Sequence, residues 1–216
     1  MLAATDTQLQ ELLAHPSVWR GRSRAAVETV STGFAALDAG LPGGGWPRHG
    51  LVEVLTPQPG VGELYLLLPV LARLSRAAPG RCCTWVSPPH EPYAPGLESH
   101  RVALDRMHVV RTHLPLWAHE QALRSGACGM AMAWLPRVSP RAIRRLQLAA
   151  EQGRALGVLY RSQHYASESS PAMLRLLLEP RVSGGRQGAR VSLIKSRGGA
   201  REPIDLEWAP AIESAA

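Results

Sequence analysis

The sequence predicts an α/β domain: a mostly parallel sheet flanked by helices, with mixed strands at its C-terminal edge. Three observations lead there. Between residues 51 and 161, short apolar runs alternate with amphipathic stretches of helical period, the pattern of strand–helix–strand units. The last third carries three apolar runs with a Gly/Arg turn and no helical stretch between them, so they close the sheet as hairpin-type strands. The chain has 216 residues, 45% of them hydrophobic, long enough to bury about 70% of its unfolded surface without a disulfide or metal staple.

Each element follows from its residues. Residues 3–14 set Leu9, Leu12 and Leu13 between polar residues, a short amphipathic helix. Residues 18–21 (VWRG), bounded by Pro16 and Gly21, are a connector carrying Trp19. Residues 31–50 hold a short helix and a Gly/Pro-rich turn, 51–55 a strand, and 56–62 a glycine-containing loop. Residues 61–78 read as a helix, apolar on most sides, kinked at Pro69. Strands follow at 82–87, 107–111, 129–135 and 155–161, with helices at 96–103 and 115–125. Ser139 and Pro140 supply the N-cap and first residue of a helix running to about Gln152. Strands at 173–180, 189–197 and 203–209 complete the sheet, with a turn at 183–190. The expected organisation is an N-terminal helical extension and linker (1–30), one domain (31–208) and a tail (209–216).

Charge narrows the partners. Of 24 basic residues, all but Lys195 are arginine, and the net charge is +7. A GC-rich genome, which favours arginine codons, with a solvated surface is the plain alternative for arginine over lysine; the net charge calls for more and suits a polyanion or an acidic protein. No 18-residue apolar run occurs, and the stretch from Leu64 stops at Arg73, so no membrane span is expected. No basic-then-apolar leader opens the chain, which points to the cytoplasm. Three cysteines without CxxC spacing argue against a disulfide framework or a zinc site. His100, His108, His113 and His119 are scattered, and no metal or cofactor is expected. Ser87, Ser139 and Ser170 lack a nucleophile elbow.

Residues 31–55, STGF–LD–GLPGGGWPRHGLVEVL, resemble the opening of a RecA-type domain. That resemblance implies a RecA-like three-layer sandwich, in which the strand leads into a phosphate-binding loop. Here it leads into PQPGVGEL (57–64), with Gly62 in the second glycine place and Gly60 within the loop. Pro57, Glu63 and Leu64 stand where the family has Gly, Lys and Ser/Thr. Such a loop needs the lysine for the β/γ-phosphates and the hydroxyl for Mg²⁺; a glutamate there repels a triphosphate by several kcal/mol. The run at 129–135 ends in Trp134 and Leu135 where the family carries Asp. Residues 85–95 place Pro88 and Pro89 near the catalytic Glu position, with Glu91 two residues late. The resemblance therefore implies a degenerate loop (Gly60, Gly62, Glu63, Leu64) and no catalytic residue. A divergent DNA-stimulated ATPase is the enzyme-class alternative.

VWRG, STGF–LD–LPGGGWP, GVGE, WV–PPHEPYAP, LWA–EQALRSGACG and RRLQLAAEQG–ALG, in this order over about residues 10–200, resemble the ImuA family of translesion DNA synthesis-associated proteins, in the SulA/ImuA group. The resemblance implies a non-catalytic accessory protein of DNA-damage-induced mutagenesis. Its implied partners are an ImuB-like Y-family polymerase relative, an error-prone replicative-type polymerase and RecA. The alternative within the group is a SulA-like inhibitor of cell division binding FtsZ.

Candidate surfaces follow. Arg141, Arg144 and Arg145 share the polar side of their helix, opposite Ile143, Leu146 and Ala150; arginine forks suit phosphate, and a solvated helix face is the plain alternative. Arg161 and Tyr165 belong to a loop whose place in RecA-like folds meets DNA, where Tyr165 is a candidate for base stacking; a mobile surface loop is an equal alternative. Arg186 and Arg190 lie at the Gly/Arg turn. Lys195 and Arg197 resemble the basic pair that reaches a neighbour's nucleotide in RecA relatives; DNA or an acidic partner are alternatives. Leu9, Leu12, Leu13 and Trp19 are candidates for partner binding or homo-oligomer contacts.

Overall fold

The computed structural model describes residues 28–77, 81–196 and 202–208; the readings on Leu9, Leu12, Leu13, Trp19 and Arg197 lie outside them. It opens with a clasp. Strand β1 (Thr29–Val30) pairs antiparallel with β2 (Trp46–Pro47) around helix α1 (Ala35–Gly40). The Ser-Thr-Gly and Leu-Asp residues build this turn. Asp38 Oδ2 accepts from Ser31 Oγ at 2.6 Å and Oδ1 from the Thr32 amide at 2.7 Å. Burial raises the Asp38 pKa, but the Ser31 and Thr32 donors outweigh it and hold it below the usual value.

Among the described residues, eight strands make the main sheet. In chain order they are β3 (Gly50–Thr56), β4 (Cys82–Val86), β5 (Met107–Val110), β6 (Cys128–Trp134), β7 (Leu156–Ser162), β8 (Leu174–Ser183), β9 (Arg186–Lys195) and β10 (Ile204–Glu207). The spatial order is β10-β9-β8-β3-β7-β6-β4-β5. All pairs from β8 to β5 are parallel, and β8–β9 and β9–β10 are antiparallel. Buried β3 alternates its faces. Val52 and Val54 pack with helix α2 (Leu68–Arg76), while Leu51 packs toward helices α4 (Pro115–Arg124) and α5 (Pro140–Gln152). A short helix, α3 (Ala94–Ser99), joins β4 to β5.

Helix α5 begins as its sequence requires, with Ser139 Oγ accepting from the Ala142 amide. Two readings are corrected. The helix expected over 61–78 starts only at Leu68, because residues 57–67 form successive turns; Pro69 lies in its first turn, where a missing N–H is harmless, and kinks nothing. The turn expected over 183–190 is two residues, Gly184 and Gly185, at φ 58° and 79°. Two successive left-handed glycines match strand twist in a tight hairpin, so β8 and β9 run longer than their apolar runs suggest.

Candidate functional site

The glycine loop leaves β3 at Thr56 and turns through Gly60 and Gly62, at φ 85° and 94°. Its Gly60 amide faces the loop's own glutamate. Glu63 is buried, and both carboxylate oxygens accept from the Gly60 N–H, at 3.0 and 3.1 Å. The place a phosphate oxygen would take on that amide therefore holds an internal carboxylate. Leu64, where a metal-binding hydroxyl would stand, packs against the core.

Aromatic rings pack behind the loop at Gly62 and Glu63, while residues 57–60 are exposed. Trp134, at the end of β6, stacks on Tyr160 of β7 with centroids 4.7 Å apart, and Trp85 of β4 tilts against Trp134 at 5.6 Å. The Tyr160 hydroxyl donates to the Glu63 carbonyl at 3.4 Å. Burial, with the Glu63 charge, pushes the Tyr160 phenol well above its ordinary value, so it stays a donor. From the other side, Trp208 stacks on Tyr65 and meets Phe34 edge-on, each at 5.8 Å. A Cβ on Gly62 would sit 2.8 Å from the Trp208 indole nitrogen. The Glu63 carboxylate, the Trp208 indole and the Tyr160 phenol thus occupy the space at Gly62 and Glu63 with this chain's own atoms.

On the opposite face, Arg161 and Arg175 converge on Glu53. Arg161 Nη1 reaches Oε1 at 2.8 Å and Arg175 Nε reaches Oε2 at 2.7 Å, with all three side chains at most 3% exposed. Arg161 Nη2 also donates to the Val138 carbonyl, and Arg175 Nη1 and Nη2 to the carbonyls of Tyr165, Ala166 and Glu168, so the triad ties residues 163–168 to the sheet; the buried Arg161 Nε has no partner among the described residues. This corrects the reading of Arg161 as a loop residue. It is a buried strand residue, and Tyr165 covers its guanidinium at 4.3 Å from ring centroid to Cζ. The ring expected to stack on a base already has a cation against one face.

The remaining basic residues are dispersed. Arg141 and Arg144 are exposed on α5. Arg145, together with Arg124, is held by Glu120, whose side chain is only 5% exposed, so the expected three-arginine face is two arginines and an ion-paired third. Arg186 pairs with Glu207, and Arg190 and Arg181 with Asp205. Those arginines, foremost the hydrogen bond from Arg190, hold the Asp205 carboxyl down at about 2. Lys195 Nζ donates to the carbonyls of Ser170 and Ala172, at 2.6 and 2.8 Å. Lys195 and Arg144 share the lining of one cavity of about 300 Å³ with Gln147 and Glu151. No group of three His, Cys, Asp or Glu residues among the described residues has metal-holding geometry. No helix among them is long and apolar enough to cross a membrane.

Residues 51–157 match the family model described as "Cell division inhibitor SulA". Proteins named cell division inhibitor SulA from Photorhabdus laumondii and Edwardsiella piscicida are 36% and 32% identical, over 117 and 120 residues. The second match covers 54% of this chain and 71% of the relative. The chain belongs to the SulA family. Its match spans 63% of the Photorhabdus protein and 51% of this chain. The solved structure of SulA from Pseudomonas aeruginosa is 26% identical, with TM-score 0.44, covering 51% of this chain and 97% of that one. The segment matched by the SulA family model contains the glycine loop, Trp85, Trp134 and helix α5. It stops before β8, β9 and β10, and the 29–47 clasp precedes it.

Sequence reasoning missed the triad, Trp208 and the facing Cys82 and Cys128. For the triad a signal existed: Glu53 interrupts an apolar strand, LVEVL, and a buried carboxylate requires a cationic partner. Nothing local marks Trp208 as a cover for a loop nearly 150 residues away, since only strand order brings β10 and its flank there.

Proposed function

We propose that this SulA-family chain is a non-catalytic, RecA-like accessory protein that scaffolds mutagenic translesion synthesis after DNA damage. In this reading its partners are an ImuB-like polymerase relative, an error-prone replicative-type polymerase and RecA. The carrying observation is the self-filled glycine loop. An amide already bound to the Glu63 carboxylate, beside Trp134 and Leu64, favours a binding role over nucleotide turnover. The segments beyond the match to SulA support the choice of partner. The 29–47 clasp carries the ImuA-type motif and the C-terminal strands extend the main sheet, so this chain offers surface beyond the segment matched to a division inhibitor.

Two experiments test the reading. Purified protein with and without single-stranded DNA should hydrolyse no ATP above background; a DNA-stimulated rate altered by Glu63→Ala in a folded protein would refute the non-catalytic role. Affinity capture from DNA-damaged cells should recover a Y-family polymerase relative, and deletion of the gene should lower damage-induced mutation frequency. The second reading, inhibition of cell division through FtsZ, is favoured by the names of the relatives. It predicts recovery of FtsZ instead, and filamentous cells on overexpression.

A further inference from the structure

The three cysteines divide into a pair and a single. Cys82 opens β4, Cys128 opens β6, and the parallel register sets them directly opposite each other. Their Sγ atoms lie 3.2 Å apart on the same face of the sheet, and Thr84 Oγ1 is 3.2 Å from the Cys128 sulfur. Cys83 points to the other face, inside the α2-side core. Neighbouring strands run ~4.7–4.9 Å apart, within the ~4.4–6.8 Å between Cα atoms that a disulfide spans. The sulfurs need to close by about 1 Å to reach bonding distance. The register slips immediately beside them: Cys82 faces Cys128 and Cys83 faces Met130, leaving Gly129 outside the ladder. A glycine bulge lets the strand shift with no side chain to repack.

We propose that Cys82 and Cys128 are an oxidation-sensitive thiol pair, which hydrogen peroxide converts into an intramolecular disulfide joining the starts of β4 and β6. Cys82 is partly exposed, whereas Cys128 is buried, so the Cys82 sulfur meets the oxidant first. Burial also pushes the Cys128 thiol up to about 11, which slows it toward dissolved peroxide, whereas a sulfenic acid on Cys82 stands in contact with its sulfur. The Cys82 sulfur attacks one peroxide oxygen, the O–O bond breaks, and a sulfenic acid and one water result. The Cys128 sulfur then displaces the hydroxyl from that sulfenic acid. Its proton leaves with the hydroxyl as a second water. The two thiols lose two electrons in all, and the peroxide gains them. The bond hardens a corner now held by hydrogen bonds, where Arg81 Nη2 donates to the carbonyls of Cys128, Gly153 and Arg154 at 2.6, 3.0 and 2.7 Å.

The test is peptide mass mapping of the full chain after brief hydrogen peroxide treatment. The expected result is a peptide pair joined through Cys82 and Cys128, lighter by two hydrogens and separated by dithiothreitol. Cys83→Ala leaves the link intact, while Cys82→Ser and Cys128→Ser abolish it; the wild-type map stands alone if a variant folds poorly. Cys82 oxidised to sulfinic acid without a link, a link through Cys83 or between two copies, or two unreacted thiols would each overturn the proposal.

Discussion

Replacing Glu53 by Gln tests the buried triad with almost no change of volume. The carboxylate takes one charged hydrogen bond from each of Arg161 and Arg175, and its side chain is wholly inaccessible. The amide keeps one acceptor and loses the charge, so two guanidinium groups, 2% and 3% exposed, remain beside each other uncompensated. Breaking a buried pair by removing one partner costs about 3–5 kcal/mol, out of the ~5–15 kcal/mol that holds a domain together. With a urea slope of about 2–3 kcal/mol per molar, the midpoint falls by roughly 1–2 M, read by circular dichroism and tryptophan fluorescence. Asp205→Asn, at the exposed pairs with Arg181 and Arg190, serves as the control and leaves the midpoint near its wild-type value. Changing Glu53, Arg161 and Arg175 together to apolar residues recovers most of the loss in the sheet, but loosens residues 163–168, whose carbonyls Arg175 holds. A Glu53→Gln cost below about 1 kcal/mol would refute the reasoning, since two buried cations cannot lose their anion so cheaply.

Three further outcomes are expected. His119 is fully buried, and that burial pushes it down to about 3; the unfolded chain takes up its proton near 6.5 and the folded one does not. Stability is therefore complete above about pH 6.5 and falls by about 1.4 kcal/mol per unit as pH drops toward 3, and His119→Met flattens that slope in denaturation midpoints at pH 7, 6 and 5. Gly62→Ala combines a left-handed backbone with contact on Trp208 and costs about 1–3 kcal/mol; an unchanged melting temperature would show that Trp208 does not seal the loop. For single-stranded DNA, a weak affinity should fall with log salt at a slope of about −3. Arg141→Glu with Arg144→Glu should abolish it without unfolding α5, whereas a salt-independent signal would exclude phosphate contacts.

Elements whose cues are local were legible in the sequence. Ser139–Pro140 marks the start of α5 because a capping hydroxyl and a proline need only their own turn. The apolar runs gave β3, β4, β6 and β7 because parallel strands are buried on both faces. Pro69 misled because its effect depends on whether helix precedes it, and the turns at 57–67 come from Gly60 and Gly62. The clasp strands β1 and β2, two residues each, lack any periodicity to read. At the candidate site, the substitutions at Glu63, Leu64 and Trp134 were visible. That Glu63 turns back on Gly60 was not, because it depends on the loop's path. Arg161 was misplaced because its partner, Glu53, is 108 residues away in sequence, and an arginine read alone looks like surface.

The position of β3 has a consequence for how the chain is made. This strand is made before both of its neighbours: β7 and β8 follow about a hundred residues later. Until they arrive, both edges of residues 50–56 are open, and no local hairpin can close them. Pairings this distant fold slowly, because the chain between must be ordered first. The nascent protein therefore carries an unpaired, strongly apolar segment while about a hundred further residues are made. Whatever shields that segment during translation should raise the folded yield, an outcome that ribosome-release experiments on chains ending before and after residue 178 would check.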